Sequence, residues 1–404
     1  MTSLRILVLA LGVAVGVFLP FVSVILSSFG FEPGGIGLLT SLGAVAFTIA
    51  VPAWGHLADV RLGRPRTLQV CVLGASVAML LLLGAWPTIV VAALFIVFWI
   101  FESSWQPLTD AITVNAIRGR TSGGGYARVR LLSSLGFAVA TIGAGFLYDR
   151  TGYAPAFVIC AGSAMLMAAA STRLPDVGRA DLAALDTRRD GDPSAPTRRR
   201  TWQFGSAGVA LRIAPRLGLV LTAVALVHIG MISGYTFLSL RLVDLGGGPS
   251  DVALSAGLSA IAEIPSMLVI GWVVIRIGLR GVFVASALIY AACFATWAVV
   301  DVPAVIILSR LFTGMAFAGV VVGVVMTIAV LLPADLQATG QSLFQTVAFG
   351  VAAVISNLVG GILYASVGPA AVFGLGAVLA VAAAVVGWIA FPARAPRRVR
   401  QSRA

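Results

Sequence analysis

The chain has 404 residues, of which 59% are hydrophobic and only 10% charged, and its mean hydropathy is +1.03. A soluble chain of this length needs far more charge to cover its surface, so much of the exterior must face lipid. The cations are 27 arginines with no lysine, giving a net charge of +12. So apolar a chain leaves no polar domain to hold nucleic acid, and the arginines are read as setting membrane topology.

Apolar runs of about 20 residues, the length that crosses a bilayer, follow one another in chain order. Six fall in the first half, at 6–28, 36–58, 67–85, 88–113, 130–148 and 153–172. The first is too long for a signal-peptide core and has no obvious cleavage site, so it reads as a spanning helix. The stretch 173–216 is the long polar one, with Arg188, Arg189, Asp190, Asp192, Pro193, Pro196 and the run Arg198–Arg200. Its composition is that of a flexible linker, with Trp202–Leu211 a candidate interfacial segment. Six further runs follow at 217–242, 252–275, 281–300, 303–332, 338–365 and 369–391. The expected fold is an all-α membrane protein of twelve transmembrane helices in two six-helix pseudo-symmetric halves. The expected domains are a bundle at 1–172, the linker at 173–216, a second bundle at 217–393 and a basic tail at 394–404.

If the N-terminus is cytoplasmic, that side holds Arg5, Arg61, Arg64, Arg66, Arg118, Arg120, Arg128, the arginines of 173–216, Arg276, Arg280 and those of the tail. The outer loops hold only Arg150 and Arg241, beside Glu32, Asp149, Asp244, Asp251 and Asp301. This asymmetry puts both termini in the cytoplasm of a cell inner (plasma) membrane protein.

The chain also repeats itself. Gly145-Phe-Leu-Tyr148 with Gly152, Ala154 and Phe157 recurs as Gly361-Ile-Leu-Tyr364 with Gly368, Ala370 and Phe373. Pro52 and Gly63 recur as Pro265 and Gly278. Each half contains an even number of spans, so the repeat is parallel, about an axis along the membrane normal, with a site expected between the halves near the midplane.

Two sets of motifs carry a family resemblance. The turn after the second span reads Gly55-His-Leu-Ala-Asp59-Val-Arg61-Leu-Gly63-Arg64-Pro-Arg66, with Val60 as an extra residue between the acid and the first arginine. It resembles the signature loop of the major facilitator superfamily, which implies a gate of charge contacts built from Gly55, Asp59, Arg61, Gly63, Arg64 and Arg66. Trp105-Gln-Pro107-Leu-Thr-Asp110, Tyr126-Ala-Arg128-Val-Arg130, Glu263-Ile-Pro265 and Leu336-Gln-Ala-Thr-Gly340-Gln341 resemble the phenylpropionate-permease and lactose-permease-like group. Ala127 and Leu132 depart from its usual pattern. The resemblance implies a proton-coupled permease. The fifth span has Gly136, Gly143 and Gly145 but no proline, unlike the superfamily's drug-efflux antiporters.

Ionisable residues inside spans are costly and mark function by default. Glu102, Gln106 and Asp110 stand at i, i+4 and i+8 of the fourth span, on one helix face. Arg130 opens the fifth span near the depth of Asp110, and His228, Glu263 and Arg310 fall mid-span in the second half. Glu263, with Glu102 as the second choice, is expected to carry the proton. Asp110, Arg130, Gln106, Arg310, His228, Gln341 and Gln345 are expected to line the solute cavity, with Trp99, Trp105, Phe137, Tyr235 and Phe344 as candidate platforms. Helix glue is the competing role for each.

The three cysteines, Cys71, Cys160 and Cys293, lie in apolar runs without metal-ligand spacing and read as buried small hydrophobes. No metal, cofactor or enzymatic motif is found. The expected function is alternating-access, proton-coupled symport of a small organic solute, an organic acid or a sugar-like molecule. Efflux by antiport is the alternative, and a non-transporting sensor is a more distant one. The expected partners are solute, protons and the lipid bilayer, with no nucleic acid, and the protein is expected to be a monomer.

Overall fold

A computed structural model describes residues 2–117, 125–174, 204–333 and 336–393. The basic tail and most of the linker lie outside the described residues. The architecture is helical, and the helices follow the apolar runs. We number the spans α1 (Thr2–Ser28), α2 (Pro33–Leu62), α3 (Arg64–Leu81), α4 (Thr88–Ala116), α5 (Gly125–Thr151), α6 (Ala154–Ser171) and α7 (Pro215–Asp244). The element Pro249–Val299 holds two spans, α8 (249–277) and α9 (279–299), parted by the non-helical Gly278. Then come α10 (Pro303–Leu331), α11 (Gln337–Ser366) and α12 (Pro369–Ala390). Among the described residues, ten helices are individually long and apolar enough to cross a membrane. The expected twelve are reached because Gly278 divides one of them and because the shorter, more polar α3 crosses beside them.

Pairing between helices repeats with a shift of six. In the first half α1 packs on α5 and α6, and α3 on α4 and α6. In the second, α7 packs on α11 and α12, while 249–299 packs on α10 and α12. The glycine turns repeat as well: Gly63 has φ 81° and ψ 158°, and Gly278 has φ 75° and ψ 170°. This corner of backbone space is open essentially to glycine alone. Gly63→Ala and Gly278→Ala should each cost about 1–3 kcal/mol, read as a lower thermal midpoint in detergent. An unchanged midpoint for both would contradict the turn geometry.

Close packing rests on small residues, as expected where lipid removes the hydrophobic drive between helices. A Cβ on Gly12 would lie 2.1 Å from the Ser133 carbonyl oxygen, and one on Gly136 2.8 Å from that of Leu9. Thr141 donates to the Gly16 carbonyl at 2.9 Å, and Tyr148 to that of Val17 at 2.8 Å. These contacts seal α1 to α5.

Two compact units result. One gathers the described residues of Met1–Leu19 and Val45–Trp202, the other those of Pro20–Ala44 and Gln203–Ala404. Packing thus departs from chain order at 20–44, which joins the second unit. There the Ser41 hydroxyl donates to the Val354 carbonyl at 2.9 Å. A Cβ on Gly37 would fall 2.4 Å from the Asn357 carbonyl oxygen and 2.6 Å from the Gly361 Cα. A short helix, Phe204–Ile213, packs against α7 and the Gln337–Gln345 segment; Trp202 lies outside the described residues.

Candidate functional site

A polar cluster lies in the first unit. The Asp110 Oδ2 atom accepts from Gln106 Nε2 at 2.9 Å and faces Arg130 Nη1 at 3.5 Å. Side-chain exposures of 31% for Asp110 and 55% for Arg130 keep the pair in contact with open space, where an ion pair contributes little to stability. Glu102 is half-buried one turn earlier. Among the described residues its carboxylate meets no cation or hydrogen-bond donor within bonding distance. The turn Ser103–Ser104 interrupts α4 here, and both hydroxyls bond back three residues, to Ile100 and Phe101. Such back-bonding bends helices.

On α4 the sequence marked Trp105 as a candidate platform but not the row it belongs to. Trp105, Thr109 and Thr113, again at i, i+4 and i+8, are 1%, 1% and 2% exposed. The polar atoms of all three are buried without a hydrogen-bond partner among the described residues. Trp105 packs edge-on against Phe98, so this indole is a core residue and offers no free face. Phe344 is likewise buried at 1%. Trp99 packs against Phe95.

The expected gate loop follows α2. Residues Ala58–Leu62 form a π-helical turn, which absorbs one extra residue per turn and so houses Val60. Asp59 Oδ1 lies 3.4 Å from Arg64 Nη2, across the Gly63 turn. Arg61 and Arg66 are exposed, and the space around Gly55 is open.

The second unit holds the more enclosed charge. Arg310 is 7% exposed. Its Nη1 donates to Thr313 Oγ1 at 3.0 Å and its Nε to the Ser255 carbonyl at 3.4 Å. The guanidinium carbon stands 4.2 Å from the Tyr235 ring centroid and 5.6 Å from that of Trp297. Cation–π attraction of this kind strengthens with desolvation. Trp297 is fixed in turn by its Nε1 donating to Ser309 at 2.7 Å. No carboxylate lies within ion-pair distance of Arg310 among the described residues. The Tyr235 and Tyr290 hydroxyls are 2.9 Å apart, and Tyr290 also reaches Met231 Sδ at 3.3 Å. Glu263 is half-buried in the same unit. Tyr290 and Trp297 were missed from sequence, since an aromatic in an apolar span carries no mark of what it faces.

The remaining expected residues are spread out. His228 is fully buried; its Nδ1 donates to the Val224 carbonyl at 2.9 Å, leaving Nε2 without a partner among the described residues. Its ring meets the edges of Phe344 and Phe349, with centroids 6.0 and 5.3 Å away, so it sits in packing. Gln341 reaches the Val325 carbonyl at 3.3 Å and Gln345 is exposed. Asn357 accepts from Thr236 at 2.9 Å, a bond joining α7 to α11. Cys71, Cys160 and Cys293 are free and buried. Among the described residues no cluster suits a metal ion.

Repeated six-helix halves with charged groups held inside their spans define a multi-pass membrane transporter, and the proteins this chain resembles are transporters and not enzymes. A family model described as the MFS_1 like family matches residues 1–375. Maltose permease of Geobacillus stearothermophilus is 29% identical over 359 residues, covering 87% of this chain and 84% of that protein. The uncharacterized transporter YwbF of Bacillus subtilis (strain 168) is 22% identical over 351 residues, covering 86% and 82%. Among solved structures, a point mutant of the nucleoside transporter NupG superposes with a TM-score of 0.83 at 16% identity, covering 97% of this chain and 99% of that one. A point mutant of the peptide transporter POT, in complex with alafosfalin, gives 0.68 at 13% identity, covering 96% and 92%. The chain belongs to the MFS_1-like family of the major facilitator superfamily.

Proposed function

We propose that the protein is a proton-coupled symporter of a small polar organic solute, a sugar-like molecule or an organic acid, working by alternating access in the plasma membrane. The observation that carries this reading is Arg310: a cation 7% exposed, clamped by Tyr235 and Trp297, with the Tyr290 hydroxyl bonded to that of Tyr235 and Glu263 half-buried in the same unit. A charge kept inside a span is costly and is retained for function. Its planar fork of donors suits paired hydroxyls or a carboxylate. In the first unit Gln106, Asp110 and Arg130 supply a second, more open set of donors and acceptors. The maltose permease relative favours a polyhydroxylated solute. Glu263 is the proton carrier and Glu102 the second candidate. The arginine asymmetry places both termini in the cytoplasm.

The test is uptake into proteoliposomes. Labelled maltose, other small sugars and small carboxylic acids are offered with and without an inward proton gradient, and internal pH is recorded. The expected result is uptake of one class, stimulated by the gradient and accompanied by acidification. Uptake indifferent to the gradient, without pH change, would overturn the coupling; no uptake of either class would overturn the solute assignment.

A further inference from the structure

The buried row on α4 serves neither the proposed solute site nor the proton carrier. Trp105 Nε1, Thr109 Oγ1 and Thr113 Oγ1 make no hydrogen bond among the described residues, and none of the three residues is more than 2% exposed. This half of α4 packs against α1, α3 and α5, so the row is closed off within its own unit. Buried polar groups bond either to protein or to ordered water. Three orphans stacked on one helix face call for the second. Spacing selects the bridging group. Residues at i and i+4 lie about 6 Å apart along the helix, at 1.5 Å per residue, too far for one side-chain oxygen to bond the next. Two hydrogen bonds of about 2.8 Å through one oxygen span about 5.6 Å, so a single water fits between neighbours of the row.

The chemistry of the row excludes ions. An indole N–H only donates, so it repels a metal cation. Arg130 faces Asp110 on the neighbouring face, and a buried anion without a counter-charge is costly. The repeat shows why the seam has room. On α10, Thr327 stands one repeat after Thr113, to within a residue of the spacing from Gly63 to Gly278, and Gly323 and Gly319 precede it at four-residue steps. A Cβ on Gly319 would lie 2.1 Å from Ser286 Oγ of α9, so there the two helices touch. On α4 the side chains of Trp105 and Thr109 take those two places and keep α3 at side-chain distance.

We propose that this face of α4 is a buried hydration site, with one water bridging Trp105 to Thr109 and another bridging Thr109 to Thr113. Water-mediated bonds of this kind are nearly as favourable as direct ones. The experiment is X-ray hydroxyl-radical footprinting of the full chain in nanodiscs made up in heavy-oxygen water, read by mass spectrometry. A radical formed from a bound water oxidises the ring beside it, whereas a dry ring of equal burial is spared. Phe95 is the dry reference: it lies on the same α4, is 0% exposed and packs on Phe18. Trp105 should take up heavy oxygen while Phe95 does not. Thr109→Val should lose the Trp105 label, and Thr109→Ser, which keeps the hydroxyl, should retain it. Thr109→Val should also lower the thermal midpoint, because it strands the groups on either side. In a dry seam the same change removes an unpaired hydroxyl and raises the midpoint. A Trp105 as inert as Phe95, an unchanged label in folded Thr109→Val, or a raised midpoint in that variant each overturns the proposal. The parent's footprint needs no substitution, so the test stands even if the variants misfold.

Discussion

Glu263→Gln is expected to reduce the steady-state solute ratio across the proteoliposome membrane to one, while exchange of solute between two pre-equilibrated compartments persists. The amide keeps the shape of a protonated acid but cannot release a proton. A one-unit pH gradient drives about tenfold accumulation through a one-to-one symporter, because one unit corresponds to about 1.4 kcal/mol. The whole of that factor should vanish. Exchange involves no net proton movement and needs only binding and reorientation. Placement favours Glu263 ahead of Glu102: Glu263 is half-buried in the unit that holds the enclosed Arg310, whereas Glu102 lies beside the Ser103–Ser104 turn. Glu102→Gln measured in parallel should still accumulate solute. Tenfold accumulation by Glu263→Gln would remove this carboxylate from the coupling path, and its loss in Glu102→Gln alone would transfer the role.

Gly314→Ala should disable the second unit without touching a charge. The added Cβ would lie 2.1 Å from the Ser259 carbonyl oxygen and 3.2 Å from the Ala262 Cβ. Backbone cannot yield as a side chain can, so α8 must move away from α10. Overpacking of this kind costs about 1–3 kcal/mol. Gly314 lies one turn beyond Arg310, and Ser259 one turn beyond Ser255, whose carbonyl accepts from Arg310 Nε. Parting the helices lengthens that bond and leaves a buried cation less well held. A lower thermal midpoint and a marked fall in uptake should appear together. Gly271→Ala, on the same α8, is the control: its Cβ would meet nothing within 4 Å, and alanine suits a helix better than glycine by about 1 kcal/mol. Equal behaviour of the two variants would mean that α8 and α10 are not in backbone contact at Gly314.

The spans were legible because the membrane imposes a length and a polarity that any run of residues must meet. The repeat was legible through Gly63 and Gly278, since a glycine in its own corner of backbone space leaves a mark in sequence. The pairing of Asp110 with Arg130 was legible from depth alone. Other features were not. Nothing in Ser103-Ser104 distinguishes a helix break from two serines bonded back within a continuous helix. The stacking of Arg310 on Tyr235 joins α10 to α7, and one-dimensional periodicity says nothing about which helices meet. The burial of Trp105 and His228 has the same cause: their depth could be read, but not the side toward which they turn. The grouping of 20–44 with the second unit depends on the contact of Gly37 with Gly361, two glycines among 45.

The π-helical turns at Ala58–Leu62 and Thr346–Val351 bear on how the gene can vary in length. Each residue of an α-helix turns the chain by about 100°. Deleting one residue from an ordinary stretch of a span therefore swings everything beyond it to another face, carrying apolar side chains off the lipid and glycines out of their crossings. A π turn already holds one residue more than the α-helix around it. Loss of a codon there relaxes the turn to α geometry and leaves the faces on both sides in register. Among the described spans, these two short windows are where single-codon deletions can be absorbed.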